Sequence, residues 1–254
     1  MYTNIFDTHA HYTNQEFDAD RDELLSSMPN KGVKHILLAG SSVETSVQGY
    51  TLALKYGYIY LAAGVHPEAA DDTPNGFVDI IEELAAREKT AAIGEIGLDY
   101  HYDGYSKSKQ TEIFEEQLAL AGKLKMPVII HSREATADTV EILRRYKPNG
   151  VVHCFSGSKE TAKIMLDLGL YISFTGILTF KNAVNAVDVM NYIPIDRLLL
   201  ETDCPYMAPH PFRGKRCDSS MIVYIAEKIA VSRGMNIQDV LNITCESGEK
   251  LFGI

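Results

Sequence analysis

Short apolar, β-branched runs recur along the chain at regular intervals, and longer segments of helical period separate them. The intervals between Thr8 and Asp203 average about 28 residues, the length of one strand–helix unit of an αβ barrel. The intervening segments are amphipathic, as in 108–124, where Ile113, Phe114 and Leu118 recur at helical spacing. The segments that we predict as strands are residues 4–8, 35–40, 59–65, 91–97, 127–132, 150–155, 171–176 and 198–203.

This alternation predicts an α/β fold, a single (β/α)8 TIM-type barrel. We expect it to form one domain over residues 1–254. Several predicted strands are apolar on both faces, which is typical of a parallel sheet covered by helices. An open doubly wound sheet is the alternative, but no GxGxxG motif follows the first predicted strand.

Histidines and carboxylates interrupt the apolar runs near the C-terminal ends of the predicted strands. They are His9 and His11 after strand one, His66 after strand three, Glu95 in strand four, His131 and His153 in strands five and six, and Asp203 ending strand eight. His9 and His11 are two residues apart, so in an extended strand their imidazoles point to the same face. All C-terminal strand ends of a barrel form one rim, where active sites are built. We therefore expect a metal site at this rim.

Four imidazoles and two carboxylates make up the predicted ligand set. Such a set suits zinc, manganese, iron or magnesium, and the absence of thiolates argues against a structural zinc site. Four histidines exceed what one catalytic ion takes while keeping a position open for water, whereas two divalent ions about 3.5–4 Å apart would use them all. We expect Glu95 to bridge the two ions. The other ligands divide into His9, His11 and Asp203 for one ion, and His131 and His153 for the other.

Composition and charge exclude several classes of protein. The net charge of −10 argues against broad, charge-driven wrapping of nucleic acid. It leaves room for a local phosphate site, because a bound metal ion is often the largest charge in its site. No apolar stretch approaches ~18 residues, and the first residues lack the basic and apolar regions of a secretion signal. Four cysteines without a CxxC pair fit reduced thiols, so we expect a cytoplasmic protein that spans no membrane.

Seven linked motifs cover essentially the whole chain. They are HAH at 9–11, GVHP at 64–67, GEIGLDY at 94–100, PVIIHSRE at 127–134, HCFSG at 153–157, LLLETDCPY at 198–206 and APHPFRGKR at 208–216. In order and spacing they resemble the TatD family of metal-dependent deoxyribonucleases. The resemblance implies a barrel of the amidohydrolase superfamily, a divalent-metal centre, and 3′ to 5′ exonuclease or related phosphodiesterase activity. It implies the same six metal ligands, and His66 and Glu201 match further positions that the family associates with activity.

The chain departs from the family pattern after RGKR. The family usually continues with Asn, an acidic residue and Pro, whereas this chain has Cys217, Asp218 and Ser219. The departure bears on the shape of the loop after strand eight and on substrate preference. The metal set itself is intact.

The hypothesis for the reaction is in-line attack on phosphorus by a water that two ions activate. Asp203 lies beside that water and could accept its proton as general base. Glu201 lies two residues earlier on the same strand face, where it either orients a ligand or forms a buried ion pair. His66 either hydrogen-bonds a phosphate oxygen in the mouth of the barrel or caps its loop.

Four further residues are candidate phosphate contacts: Arg133, Arg213, Lys215 and Ser156. Arginine offers a bidentate donor for phosphate. Residues 213–216 are the only dense basic cluster near a predicted strand end, although exposed basic residues are usually only solvated. Ser156 and Gly157 could present backbone N–H groups to an anion at a helix start.

DNA or another phosphodiester is the predicted substrate. The same centre could instead hydrolyse an amide, lactone or ester, including the ester at the 3′ end of a transfer RNA. A phosphodiesterase needs Arg133, Arg213 and Lys215 to face the metals. A non-enzymatic metal-dependent scaffold would need ions with no open coordination position, and the ligand count leaves room on both. No heptad or long exposed apolar helix appears, so we expect a monomer with no obligate protein partner.

Overall fold

A computed structural model describes residues 1–254, and its eight strands form one sheet in chain order. The strands are β1 Ile5–Ala10, β2 Val33–Ala39, β3 Ile59–Ala63, β4 Thr90–Asp99, β5 Val128–Arg133, β6 Gly150–Val152, β7 Tyr171–Phe174 and β8 Leu198–Leu200. Every neighbouring pair from β1 to β8 is parallel, so each connection must cross over the sheet, and a helix makes each crossover. The predicted TIM-type barrel is confirmed.

Helices cover the outside of the sheet. They are α1 Arg21–Ser27, α2 Val43–Lys55, α3 Phe77–Ala85, α4 Lys107–Leu124, α5 Thr136–Tyr146, α6 Lys159–Asp167, α7 Val184–Tyr192, α8 Ile222–Arg233 and α9 Ile237–Phe252. Each of α1 to α8 follows the strand of the same number, and α9 packs against β1 and β8. The predicted helix over 108–124 is α4, which begins after Ser106, whose hydroxyl accepts from Lys109 N. No helix combines the length and the apolar character that crossing a bilayer requires.

Every strand contributes at least one buried side chain to a layer that fills the N-terminal half of the barrel interior. The layer contains Phe6, Leu37, Ala62, Ala92, Ile129, Val151, Tyr171 and Leu199. Leu251 and Phe252 at the end of α9 pack against it, with the rings of Phe6 and Phe252 6.0 Å apart. The N-terminal half of the barrel is therefore a packed core, and polar side chains are left to the C-terminal rim.

Strands β6 and β8 are shorter than predicted, ending at Val152 and Leu200. Beyond them the chain leaves the regular ladder, and Cys154 and Asp203 adopt left-handed backbone conformations with φ of 44° and 57°. Such a φ turns the chain out of the extended path that residues of a strand follow. As a result His153 and Asp203 lie just beyond their strands.

The barrel closes between β1 and β8 through irregular contacts. His11 N donates to Cys204 O at 2.9 Å, and Asp203 N donates to His9 O at 3.0 Å. Below them, Thr8 Oγ1 donates to Leu200 O at 3.0 Å. The seam thus places His9 and His11 directly beside Asp203.

A buried carboxylate, Asp7, holds this seam from beneath. Its Oδ1 accepts from Thr202 N at 2.9 Å, and its Oδ2 accepts from Thr202 Oγ1 and from Ser219 Oγ, each at 2.6 Å. Ser219 N in turn donates to the Tyr12 hydroxyl at 2.9 Å. Burial raises the pKa of Asp7 to about 6, against the hydrogen bonds from Ser219 and Thr202. The segment that departs from the family pattern therefore supplies a hydroxyl to the closure of the barrel.

Replacing Ser219 with alanine should lower the free energy of unfolding by about 1.5–3 kcal/mol at pH 7, because a carboxylate then loses one buried donor. The midpoint and slope of urea unfolding measure this loss. Ser108→Ala removes an exposed hydroxyl from the first turn of α4 and should stay within about 0.5 kcal/mol of the parent. Equal stabilities of the two variants would contradict a stabilising role for the Ser219 bond.

Candidate metal centre

Three rim side chains gather beside one oxygen of Glu95. His9 Nε2 lies 3.2 Å from Glu95 Oε2 and 3.7 Å from Asp203 Oδ1. His11 Nε2 lies 3.6 Å from the same Glu95 oxygen and 3.3 Å from Asp203 Oδ1. The two imidazole nitrogens are 3.0 Å apart. His9, His11 and Asp203 are close enough to bind one metal ion together.

A second group of imidazoles faces the other oxygen of Glu95. His131 Nδ1 lies 2.9 Å from Glu95 Oε1, and His153 Nε2 lies 2.6 Å from it. These two ring nitrogens are 3.1 Å apart, and His66 Nε2 lies 3.5 Å from the same oxygen. The carboxylate thus stands between two groups of donors, one group for each oxygen, as a bridging ligand would.

The far nitrogens of two imidazoles fix how the near nitrogens face the centre. His11 Nδ1 donates to Ala39 O at 3.2 Å, and His131 Nε2 donates to Asp99 Oδ2 at 2.9 Å. Each ring, when neutral, therefore directs a lone pair toward Glu95. Imidazole nitrogens whose lone pairs face one another at about 3 Å cannot all form hydrogen bonds with one another. A cation, in contrast, accepts several lone pairs at once. The donor set fits divalent metal ions.

His66 has the opposite orientation. Its Nδ1 accepts from Glu68 N at 3.2 Å and so caps the short turn that follows. The proton of the neutral ring is then on Nε2, which faces the centre as a donor rather than as a lone pair. Burial lowers the pKa of His66 to about 3, so the ring is neutral at physiological pH. His66 therefore both caps its loop and offers an N–H group to the mouth.

The pKa values of the imidazoles diverge, even between His9 and His11 of the same group. Burial, followed by the charge of His153, lowers the pKa of His9 to about 4. Burial also opposes protonation of His11 and His131, but hydrogen bonds and charges of carboxylates, Asp203 for His11 and Asp99 with Glu95 for His131, raise each pKa to about 9. Without a metal ion, the carboxylates thus favour the protonated forms of His11 and His131. A bound cation would replace these protons.

The two carboxylates of the centre are held in their ionised form. Burial would raise the pKa of Glu95, but the surrounding imidazoles, His153 foremost, hold it well below its usual value. Burial likewise opposes ionisation of Asp203, and the hydrogen bond and charge of His11 lower its pKa. Both side chains are therefore ready to act as anionic ligands, and only Asp203, whose side chain is 15% exposed, reaches the solvent of the mouth.

Glu201 lies behind His153 and is fully buried. Its Oε2 accepts from Ser173 Oγ at 2.7 Å, and its Oε1 accepts from Cys154 N at 2.5 Å and lies 3.7 Å from His153 Nδ1. Burial raises its pKa to about 7. Its hydrogen bonds hold the turn that follows His153, away from the open mouth, whereas His153 Nδ1 is buried without a hydrogen-bond partner.

The candidate phosphate contacts occupy different places on the rim. Arg133 is the half-buried last residue of β5, and its guanidinium lies over the Tyr102 ring at 5.2 Å. Arg213 and Lys215 line a cavity beside the segment that follows Asp203. Ser156 is exposed and precedes the helix start, because the N-cap of α6 is Ser158. The predicted helix start at Ser156 and Gly157 is therefore wrong, because the helix starts two residues later.

Sequence reasoning missed two buried carboxylates, Asp99 and Asp7. Asp99 ends β4 in the motif GEIGLD, four residues after Glu95 and so on the same strand face, and this spacing could have identified it. Asp7 precedes His9 in the same way. Both were charged residues in otherwise apolar strands, which is the signal that revealed the histidines.

Comparisons with known proteins identify the family of the chain. The family described as TatD related DNase matches residues 6–253. The protein named uncharacterized metal-dependent hydrolase YabD, from Bacillus subtilis, is 42% identical over 253 residues, covering 98% of this chain and 99% of that protein. The protein named 3′-5′ ssDNA/RNA exonuclease TatD, from Pantoea ananatis, is 32% identical over 259 residues, covering 98% of this chain and 100% of its own length.

The fold is matched by solved structures as well. The crystal structure of YJJV, a TatD homolog from Escherichia coli, is 28% identical in sequence and superposes with a TM-score of 0.93, with 100% of both chains covered. The family match spans the whole barrel, one relative is 42% identical, and the fold is the same. The chain belongs to the TatD family and is a TatD-type metal-dependent hydrolase.

Proposed function

We propose that this hydrolase cleaves phosphodiester bonds of DNA with two divalent metal ions, as a 3′ to 5′ exonuclease. The observation that carries the proposal is the placement of Glu95, with one carboxylate oxygen toward each group of imidazoles. Two ions held in this way suit in-line displacement at phosphorus. The name of the Pantoea ananatis relative, a 3′-5′ ssDNA/RNA exonuclease, supports a nucleic acid substrate.

In this proposal His9, His11 and Asp203 would hold one ion, His131 and His153 would hold the other, and Glu95 would serve both. Zinc, manganese and magnesium all suit such a set. When bound, the ions supply Lewis-acid activation of water and of the phosphodiester. The positive charge also offsets the buried carboxylates and lets an acidic protein attract a phosphate.

The chain's own residues then have separate roles. Asp203, ionised and facing the mouth, accepts the proton of the attacking water. His66 donates its Nε2–H group to an oxygen of the phosphate, because its other nitrogen is already engaged by Glu68 N. Glu201 keeps His153 and the Cys154 turn in position. Arg133, Arg213 and Lys215 bind phosphates of the substrate, and Ser156 stays a candidate only through its exposed side chain.

The decisive experiment gives the metal-free protein zinc, manganese or magnesium in turn and offers end-labelled single-stranded DNA, RNA, duplex DNA, a small phosphodiester, carboxylic esters and a charged transfer RNA. We expect mononucleotides released from the 3′ end, and no cleavage after chelation. Release of products from carboxylic esters or from a charged transfer RNA alone would overturn the phosphodiesterase and favour the esterase alternative.

Asp99→Ala should weaken metal binding or activity about 10–100-fold, because His131 loses the partner that orients it. Titration with a competing chelator and kcat on DNA measure the two effects. Asp99→Asn keeps an oxygen acceptor without the charge and should give an intermediate value. Asp138→Ala removes a nearby exposed carboxylate that accepts from the Tyr100 hydroxyl and should change neither quantity. An Asp99→Ala protein within twofold of the parent would refute this role.

We also propose that residues 1–254 act as one domain, as a monomer, in the cytoplasm. The sheet runs in chain order, and α9 returns to pack on β1 and β8, which supports a single folding unit. All four cysteines are unpaired, and three are buried, which supports a reducing compartment. Light scattering on the purified protein tests the monomer.

A further inference from the structure

We propose that a cavity beside Asp203 binds one unpaired nucleobase of the substrate together with the adjoining phosphate. The proposal rests on the proposed function and names a subsite within it. The cavity has a volume of about 370 Å³ and is lined chiefly by Phe180, Tyr206, Met207, Arg213 and Lys215. That volume lies in the range of small-molecule sites.

The cavity is fixed relative to the centre. Tyr206 N donates to Asp203 O at 3.0 Å, so the cavity wall begins within one turn of the proposed general base. Cys217 N donates to Pro205 O at 2.9 Å and fastens the basic loop to the same segment. A ligand in the cavity is therefore held at a set distance from the metal-binding side chains.

Apolar faces in the cavity are open to solvent. Tyr206 is 49% exposed and Met207 is 37% exposed, although both lie beside a buried centre. Asn14 Nδ2 donates to the Tyr206 hydroxyl at 2.9 Å, which holds the ring in one place. Every nucleobase has a π-face that can stack on such a ring, and stacking of this kind tolerates any sequence.

Two cations in the cavity are available for a phosphate. Arg213 lies over the Phe180 ring, with 4.6 Å between the guanidinium carbon and the ring centroid, and neither Arg213 nor Lys215 makes an ion pair. Arg216 is already engaged, because it donates to both oxygens of Asp20 at 2.8 and 2.5 Å. Glu16 also lines the cavity, and the balance of charge stays positive. Aromatic faces beside uncompensated cations are the combination that binds single-stranded nucleic acid.

A second cavity is lined by residues of the loop after β1, of α1 and of α2. It is larger, about 650 Å³, but only one hydrophobic residue, Leu52, lines it. Its one cation, Arg21, donates to Asp18 at 2.5 Å, and Glu44 adds a further negative charge. That cavity repels phosphate and offers no ring for stacking, so the substrate strand is expected in the basic cavity.

The test is an abasic scan. Single-stranded oligonucleotides carrying one abasic nucleotide at each of the positions nearest the 3′ end are compared with the intact strand on the metal-loaded protein. We expect one position at which loss of the base raises KM about tenfold with little change in kcat. In Tyr206→Ala the KM of the intact strand should rise by a similar factor, and the abasic penalty at that position should disappear.

Controls separate the subsite from the proposed function. Tyr192→Ala removes a comparably exposed tyrosine, 44% exposed on α7, and should keep the parent KM and the abasic penalty. Tyr206→Phe loses only the bond from Asn14 and keeps the ring, so it should keep the abasic penalty. The scan on the parent protein tests the subsite even if the alanine variant misfolds. An abasic scan with no sensitive position, or a penalty that persists in a folded Tyr206→Ala protein, overturns the subsite while diester hydrolysis stands. No hydrolysis of any phosphodiester overturns the proposed function itself.

Discussion

Replacing Glu95 with glutamine is expected to reduce DNA hydrolysis about a thousand-fold, equivalent to about 4 kcal/mol of transition-state stabilisation. Each carboxylate oxygen of Glu95 faces one group of imidazoles, at 3.2 Å from His9 and 2.6 Å from His153. A glutamine offers one oxygen and turns an N–H₂ group toward the other site, where a cation would be repelled. We therefore expect both turnover and bound metal to fall together.

The measurement pairs kcat/KM on end-labelled DNA with metal content by elemental analysis, and circular dichroism with thermal unfolding shows whether the barrel persists. Glu88→Gln, on an exposed glutamate after α3, is the matched control and should keep full metal content and activity. A folded Glu95→Gln protein that still binds two ions per chain and retains a tenth of the activity would disprove the bridging role.

Asp203→Asn is expected to lower kcat by about a thousand-fold as well, but with a different signature. The side chain keeps its shape and an oxygen near His11, at 3.3 Å in the parent, yet loses the negative charge that accepts a proton. The ion proposed for His131 and His153 should remain, because Asp203 does not contact that group. KM should change little, since the substrate contacts proposed above lie elsewhere.

Metal stoichiometry and steady-state kinetics, measured side by side, distinguish this variant from Glu95→Gln. Asp196→Asn, an exposed aspartate just before the opposite end of β8, is the control and should behave as the parent does. Turnover of the Asp203→Asn protein within tenfold of the parent would show that another group accepts the proton.

The barrel and the gathering of the centre could be predicted because both follow from strand geometry. Apolar runs on both faces indicate strands buried in a parallel sheet, and their regular spacing indicates one helix between each pair. The C-terminal ends of parallel strands necessarily meet at one rim. The sequence therefore predicted that His9, His131 and Asp203 lie close together, although more than a hundred residues separate the first two.

Details that depend on the irregular rim could not be predicted in this way. The direction of His153 and Asp203 follows from left-handed turns just after short strands, which a period of two residues does not describe. The bond between Asp7 and Ser219 joins a residue of β1 to one 212 positions later, in a segment without a repeating pattern. The backbone N–H of Glu68 donates to His66 Nδ1 and so leaves the proton of the neutral ring on Nε2, which the sequence alone does not show.

The proposed metal ion would also stabilise the junction at which the barrel closes. The first and last strands meet through a few hydrogen bonds, and His9, His11 and Asp203 sit astride that junction. An ion gripped by all three would cross-link the two ends of the sheet, so that occupancy adds about 2.7 kcal/mol to folding at a hundredfold excess over Kd. The rise in unfolding temperature on addition of zinc, manganese or magnesium would then rank these cations by their affinity for the junction, without any substrate.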